Sequence, residues 1–109
     1  MSYNIKTTDV FERQAKRLIK KYISLKNELQ KLIQELKTNP NQGILLGKNC
    51  YKIRIAIASK GKGKSGGARV ITNFVIAEST IYLISIYDKS EKENLTDSEL
   101  TTLLKSIPT

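Results

Sequence analysis

A change of hydrophobic period at Asn39-Pro40 constrains this chain more than any other feature. Before it, apolar residues recur every three or four positions. Phe11, Ala15, Leu18 and Tyr22 share one face of a helix over about residues 10–21. Leu25, Leu29, Leu32, Ile33 and Leu36 share one face of a second helix over 25–37. After it the period is two. In "CYKIRIAIAS", Ile53, Ile55 and Ile57 alternate with Lys52, Arg54 and Ala56, the pattern of a half-buried strand. "ARVITNFVIA" and "TIYLISIYD" are two further runs of β-branched and aromatic residues. Helices first and strands afterwards give a helical pair packed on one face of a sheet.

Local signals fill in the order. Tyr3–Lys6 reads as a short first strand. Asp9 with Glu12 reads as a capping box for the first helix, and Ser24 as the cap of the second. Pro40 stops that helix, because the residue before a proline is pushed out of the helical region. The link Tyr22–Ser24 is short enough to make the helices a hairpin. Ala77-Glu78-Ser79 joins the last two strands tightly, so they should pair antiparallel. "TDSE", with Thr96 and Glu99, opens a final helix striped by Leu100, Leu103, Leu104 and Ile107. The expectation is one α+β domain over residues 1–109, ordered β-α-α-β-β-β-α. Its sheet is mainly antiparallel, and the face away from the helical pair is basic.

Charge narrows the partner. The net charge is +9, and no acid lies between Leu36 and Ala77. Eight bases do: Lys37, Lys48, Lys52, Arg54, Lys60, Lys62, Lys64 and Arg69. Such a concentration repels itself unless an anion arrives, and nucleic acid is the expected one. The chain has no histidine and a single cysteine, Cys50, which excludes His-based catalysis, an internal disulfide and nearly every zinc site. No metal or other cofactor is expected. Neither a signal peptide nor a membrane-length apolar run is present in the sequence, so a cytoplasmic protein is expected.

"ASKGKGKSGG" matches a loose phosphate-binding loop at Ala58, Gly63, Lys64 and Ser65. That motif needs a helix to begin after it, so that the helix N-terminus faces the phosphates. Here Gly66-Gly67 and a strand pattern follow. The stretch is therefore expected to be a flexible hairpin arm whose lysines act as mobile charges.

The segments "CYKIRIAIASKGKGKSGGARVI" and "IYLISIYDKSEKENL" resemble the RelE/HigB branch of the RelE/ParE toxin superfamily, and the HigB-like members in particular. That resemblance implies a toxin of a type II toxin–antitoxin pair, and a ribosome-dependent endoribonuclease that needs no cofactor. Carried over by position, it implies Lys52, Arg54, Arg69 and Lys89 as site residues. Lys60, Lys62 and Lys64, with Lys48, would bind RNA or the ribosome. The tyrosine that RelE carries near its C-terminus has no counterpart after Tyr87, which would take its place. The implied partners are the ribosome with mRNA and a cognate antitoxin, a small helix-turn-helix protein through which the complex binds DNA; no membrane is involved.

RNA is cut when its 2′-hydroxyl attacks the adjacent phosphate. Without histidine, a lysine crowded by other cations can carry the proton. Lys52 or Lys89 is expected in that role, and Arg54 and Arg69 are expected to hold the phosphate oxygens. Two other readings stay open: a ParE-like gyrase inhibitor on the same fold, and a nucleic-acid-binding module without chemistry.

Overall fold

The computed structural model describes residues 2–61 and 63–108. The elements are β1 (Asn4–Thr7), α1 (Asp9–Lys21), α2 (Leu25–Leu36), β2 (Ile44–Gly47), β3 (Cys50–Ile55), β4 (Ala68–Val75), β5 (Thr80–Asp88) and α3 (Asp97–Leu104). One five-stranded sheet runs β1-β5-β4-β3-β2. β1 lies parallel to β5, and every other pair is antiparallel. The α+β architecture is the expected one.

Phe11, Ala15 and Leu18 of α1 and Leu25, Leu29, Leu32 and Leu36 of α2 pack on Ile53, Ile55, Val70, Ile81 and Leu83. Burying each of the larger of these side chains fully contributes about 1.5–3 kcal/mol, so this layer is the main core. The cap of α1 is Thr8, one residue before the expected Asp9; its hydroxyl accepts from the Phe11 N–H at 3.2 Å. Ser24 does not cap α2 with its side chain, since its hydroxyl bonds Glu28 and Ser59 instead. The Thr96–Glu99 capping box of α3 forms as expected.

Two features depart from the sequence reading. The first is β2, an edge strand that hairpins onto β3 through Lys48 and Asn49. Both have positive φ, 53° and 59°, the backbone that a tight two-residue hairpin turn requires. Residues other than glycine in that backbone hide the turn signal. The second concerns the face away from the helical pair, expected to be basic. α3 covers part of it: Leu100 packs with Cys50, Ile71, Tyr82, Ile84 and Tyr87 in a second core. Beside α3 on that face, β3 presents Lys52 and Arg54.

Candidate nucleic-acid interface

Lys52 and Arg54 stand two residues apart on β3 and point away from the helical pair, whose core takes Ile53 and Ile55. Arg54 is exposed and Lys52 half-buried. Arg54 lies directly across from Arg69 on β4, and Arg69 directly across from Tyr87 on β5. Among the described residues, Lys52, Arg54 and Lys64 have no ion-pair partner. On the β3 side of the molecule these three cations are free to meet a phosphate.

A β-bulge brings Tyr87 to this face. Pairing between β4 and β5 slips between Ile71 and Thr72, so Ile71 faces Ser85 while Thr72 faces Leu83. Ile81 and Leu83 point to the helical pair, and strict alternation would send Tyr87 there as well. The extra residue, Ile84, turns Ser85 and Tyr87 to the side of Arg69 and α3. Gln14 of α1 supports the bulge, its side-chain carbonyl accepting from the Ile86 N–H and the Ser85 hydroxyl, both at 3.0 Å. Tyr87 is 6% exposed, and its hydroxyl has no partner among the described residues. It lines a cleft of about 340 Å³ beneath α3 with Ser85, Lys92, Leu95 and Glu99. Burial pushes its phenol pKa up, and the neighbouring Arg69 opposes that shift.

Arg69 departs from its expected part. It is 5% exposed, and its terminal nitrogens donate to the carbonyls of Lys64 at 2.8 Å, Ser65 at 3.0 Å and Ala68 at 3.2 Å. A guanidinium bonded to three carbonyls is not a free phosphate fork. It holds the loop and adds its charge beside Arg54. Burial lowers its pKa, and the Arg54 charge lowers it further.

The loop is also less free than expected. Lys60 is no mobile point charge. Its ammonium donates to Asp88 at 2.6 Å, to Ser90 Oγ at 3.0 Å and to the Gly66 carbonyl at 3.3 Å, and lies 5.6 Å from the Tyr22 ring centroid. Asp88 is fully buried. The Tyr22 hydroxyl donates to it at 2.7 Å, as do the N–H and hydroxyl of Ser90. Burial alone would raise the Asp88 carboxyl. The hydrogen bonds from Lys60, Tyr22 and Ser90 outweigh it and hold the group well below the usual carboxylate range. Lys62 lies outside the described residues. Lys64 is exposed, inside a three-residue 3-10 turn over Lys64–Gly66. β4 begins at Ala68, so no helix starts here and the context of a nucleotide loop is missing. A Cβ on Gly67 would sit 2.1 Å from the Ile55 carbonyl oxygen, so glycine is required where the loop rejoins the sheet.

Lys89 follows β5. Its N–H bonds the Gly67 carbonyl at 3.0 Å, which places it beside the loop, and its half-exposed ammonium reaches the Glu93 carbonyl at 3.2 Å. Lys48 is not gathered with the others. It sits in the β2–β3 turn, roughly 20 Å of strand from Arg54, and its ammonium bonds the Thr101 hydroxyl at 2.9 Å.

Residues 4–107 match the family model described as RelE toxin of the RelE/RelB toxin–antitoxin system. The chain belongs to the RelE toxin family. Three solved structures share the fold. A double arginine-to-alanine mutant of Escherichia coli toxin RelE in the free state has 20% identity and a TM-score of 0.64, with 99% of this chain and all of that chain covered. The intact E. coli RelBE toxin–antitoxin complex has 19% identity and a TM-score of 0.63, with 80% and 96% covered. Isolated E. coli RelE has 17% identity and a TM-score of 0.56, with 97% and 100% covered. At these identities the structures carry the fold, and the family model carries the membership.

Within this RelE-family fold, sequence reasoning missed the Asp88 clamp. A signal was present: Asp88 is the one acid inside a strand whose other residues read "TIYLISIY". An acid continuous with a buried run needs a buried partner.

Proposed function

We propose that this RelE-family chain is the toxin of a toxin–antitoxin pair and cuts messenger RNA on the ribosome by 2′-hydroxyl attack on the adjacent phosphate. The observation that carries this reading is the unpaired Lys52–Arg54 pair on β3, reinforced by the Arg69 charge and flanked by Tyr87. Arg54 binds the phosphate oxygens and stabilises the charge that develops on them. Lys52 or Lys89 moves the proton. Tyr87 takes part only when α3 lifts from the sheet, because its hydroxyl is buried. So sparse a site gains most from a second body that aligns the RNA, which supports dependence on the ribosome. The lysine loop supports placement in the HigB-like branch. The partner is a cognate antitoxin, a small helix-turn-helix protein that carries the pair to its own operator DNA. The place of action is the cytoplasm.

The test is induction in cells followed by mapping of RNA 5′-ends. Codon-phased cuts within translated messages are expected, and Lys52→Ala with Arg54→Ala should remove them. Intact RNA accompanied by DNA damage would instead favour the gyrase-inhibiting reading.

A further inference from the structure

A second positive surface lies outside the site. Phe11, Ala15 and Leu18 of α1 face the core. At 100° per residue, Arg13, Lys16, Arg17 and Lys20 fall on the opposite side, with Lys21 at its edge. All five are exposed. Arg17 and Lys21 share one acid, Glu91, at 2.7 and 3.5 Å. Among the described residues, Arg13, Lys16 and Lys20 have no ion-pair partner. Of the acids in α1, Glu12 accepts from Thr7 and Asp9 sits in the first turn. The three free cations span about 10 Å of helix.

This surface lies on the reverse side of the sheet from Lys52 and Arg54. α1 packs against the face that carries Ile53 and Ile55, and the site residues project from the other. An RNA segment lying on β3 therefore does not reach it. We propose that the outer face of α1 is a second RNA-binding surface, which takes the phosphate backbone of a folded RNA while β3 holds the strand to be cut. This rests on reading β3 as the mRNA site, and identifies the folded RNA as that of the ribosome. The surface chemistry favours RNA over a protein or a membrane. Protein interfaces anchor on buried apolar side chains. Among the described residues, the exposed large hydrophobics are Ile44 and Leu45 on β2, Ile76 after β4, and Ile23 beyond the end of α1. The helix exposes no large hydrophobic residue for insertion into lipid, since its apolar stripe is in the core. Free cations alone suffice for phosphates, whose counterions they release.

The test measures binding of the purified chain to vacant 70S ribosomes by co-sedimentation across a salt series. The variant Arg13→Gln/Lys16→Gln/Lys20→Gln keeps good helix formers on exposed positions, and circular dichroism checks its fold. We expect it to bind at least about tenfold more weakly near 0.1 M salt, with a salt slope lower by about 2–3, one contact per removed charge. A variant matched for charge, Lys26→Gln/Lys31→Gln/Lys105→Gln, should keep the parental slope. An unchanged slope in the α1 variant, or an equal loss in the matched one, overturns the proposal. So does an α1 variant that loses only binding to anionic-lipid vesicles or to an acidic antitoxin. Cleavage is scored separately. If the parent chain cuts no message, the proposed function fails whatever the binding. If it cuts and the α1 variant binds ribosomes as the parent does, the α1 surface alone fails.

Discussion

Asp88 shows how one side chain changes the meaning of another. It is fully buried, and Lys60 is largely so, with 14% of its side chain exposed. Removing one partner of such a pair leaves an uncompensated buried charge, at a cost of about 3–5 kcal/mol. Asp88→Ala should lose that much in urea unfolding, and Lys60→Met combined with Asp88→Ala should lose clearly less than the two single effects added. Equal additivity in that cycle would mean no coupling. The pH sign follows from the depressed Asp88 pKa. Its contribution is full above the ordinary carboxylate value of 3.8 and fades as pH falls below it toward the folded value. Asp88→Asn should therefore flatten the acid side of the stability curve. Two buried hydroxyls have no partner among the described residues, those of Thr72 and Tyr87. Thr72→Val should be neutral or raise stability by up to about 1 kcal/mol, because it removes an unsatisfied buried group. Tyr87→Phe should likewise keep the melting temperature, and yet lower cleavage at least about tenfold, the range of proton-transfer and positioning groups. Unchanged cleavage would make Tyr87 a packing residue.

At the scale of elements, legibility depended on whether a segment's fate was local. β5 runs Thr80–Asp88, the stretch the sequence marks, because nine residues of strand formers end at turn residues on both sides. The α3 cap was readable from Thr96 and Glu99 alone. β2 was not, since "ILLG" has no alternation and its turn uses Lys48 and Asn49. The side on which Tyr87 lies was hidden too, because a one-residue bulge between strands leaves no mark in either. Lys60 was misread because its partner is 28 residues away. α3 is tethered through Glu99, which Lys92 and the Thr96 backbone hold at a pKa of about 2, so the tether persists at neutral pH. Glu99→Ala should speed amide exchange across α3 while the amides of β4 and β5 stay protected. Equal α3 exchange in Glu99→Ala and the parent would mean that the apolar contacts of Leu100 alone hold the helix.

For the whole molecule, the net charge is +9, and unpaired cations stand on both sides of the sheet. The helical layer presents α1 on one side, and β3 presents Lys52 and Arg54 on the other. The central claim is that the β3 face performs chemistry on RNA, and is more than a place where RNA rests. Phosphate binding and catalysis separate when turnover is limited to one event. The most direct measurement is single-turnover cleavage of an mRNA positioned in 70S ribosomes, at saturating toxin, for the parent and for Arg54→Ala and Lys52→Ala. The account predicts a rate constant at least about 10²-fold lower for Arg54→Ala, the usual loss when one charge-stabilising donor is removed. Ribosome binding should change by only a few-fold. Parental cleavage rates in both variants, or losses in binding that fully explain the losses in rate, would contradict it.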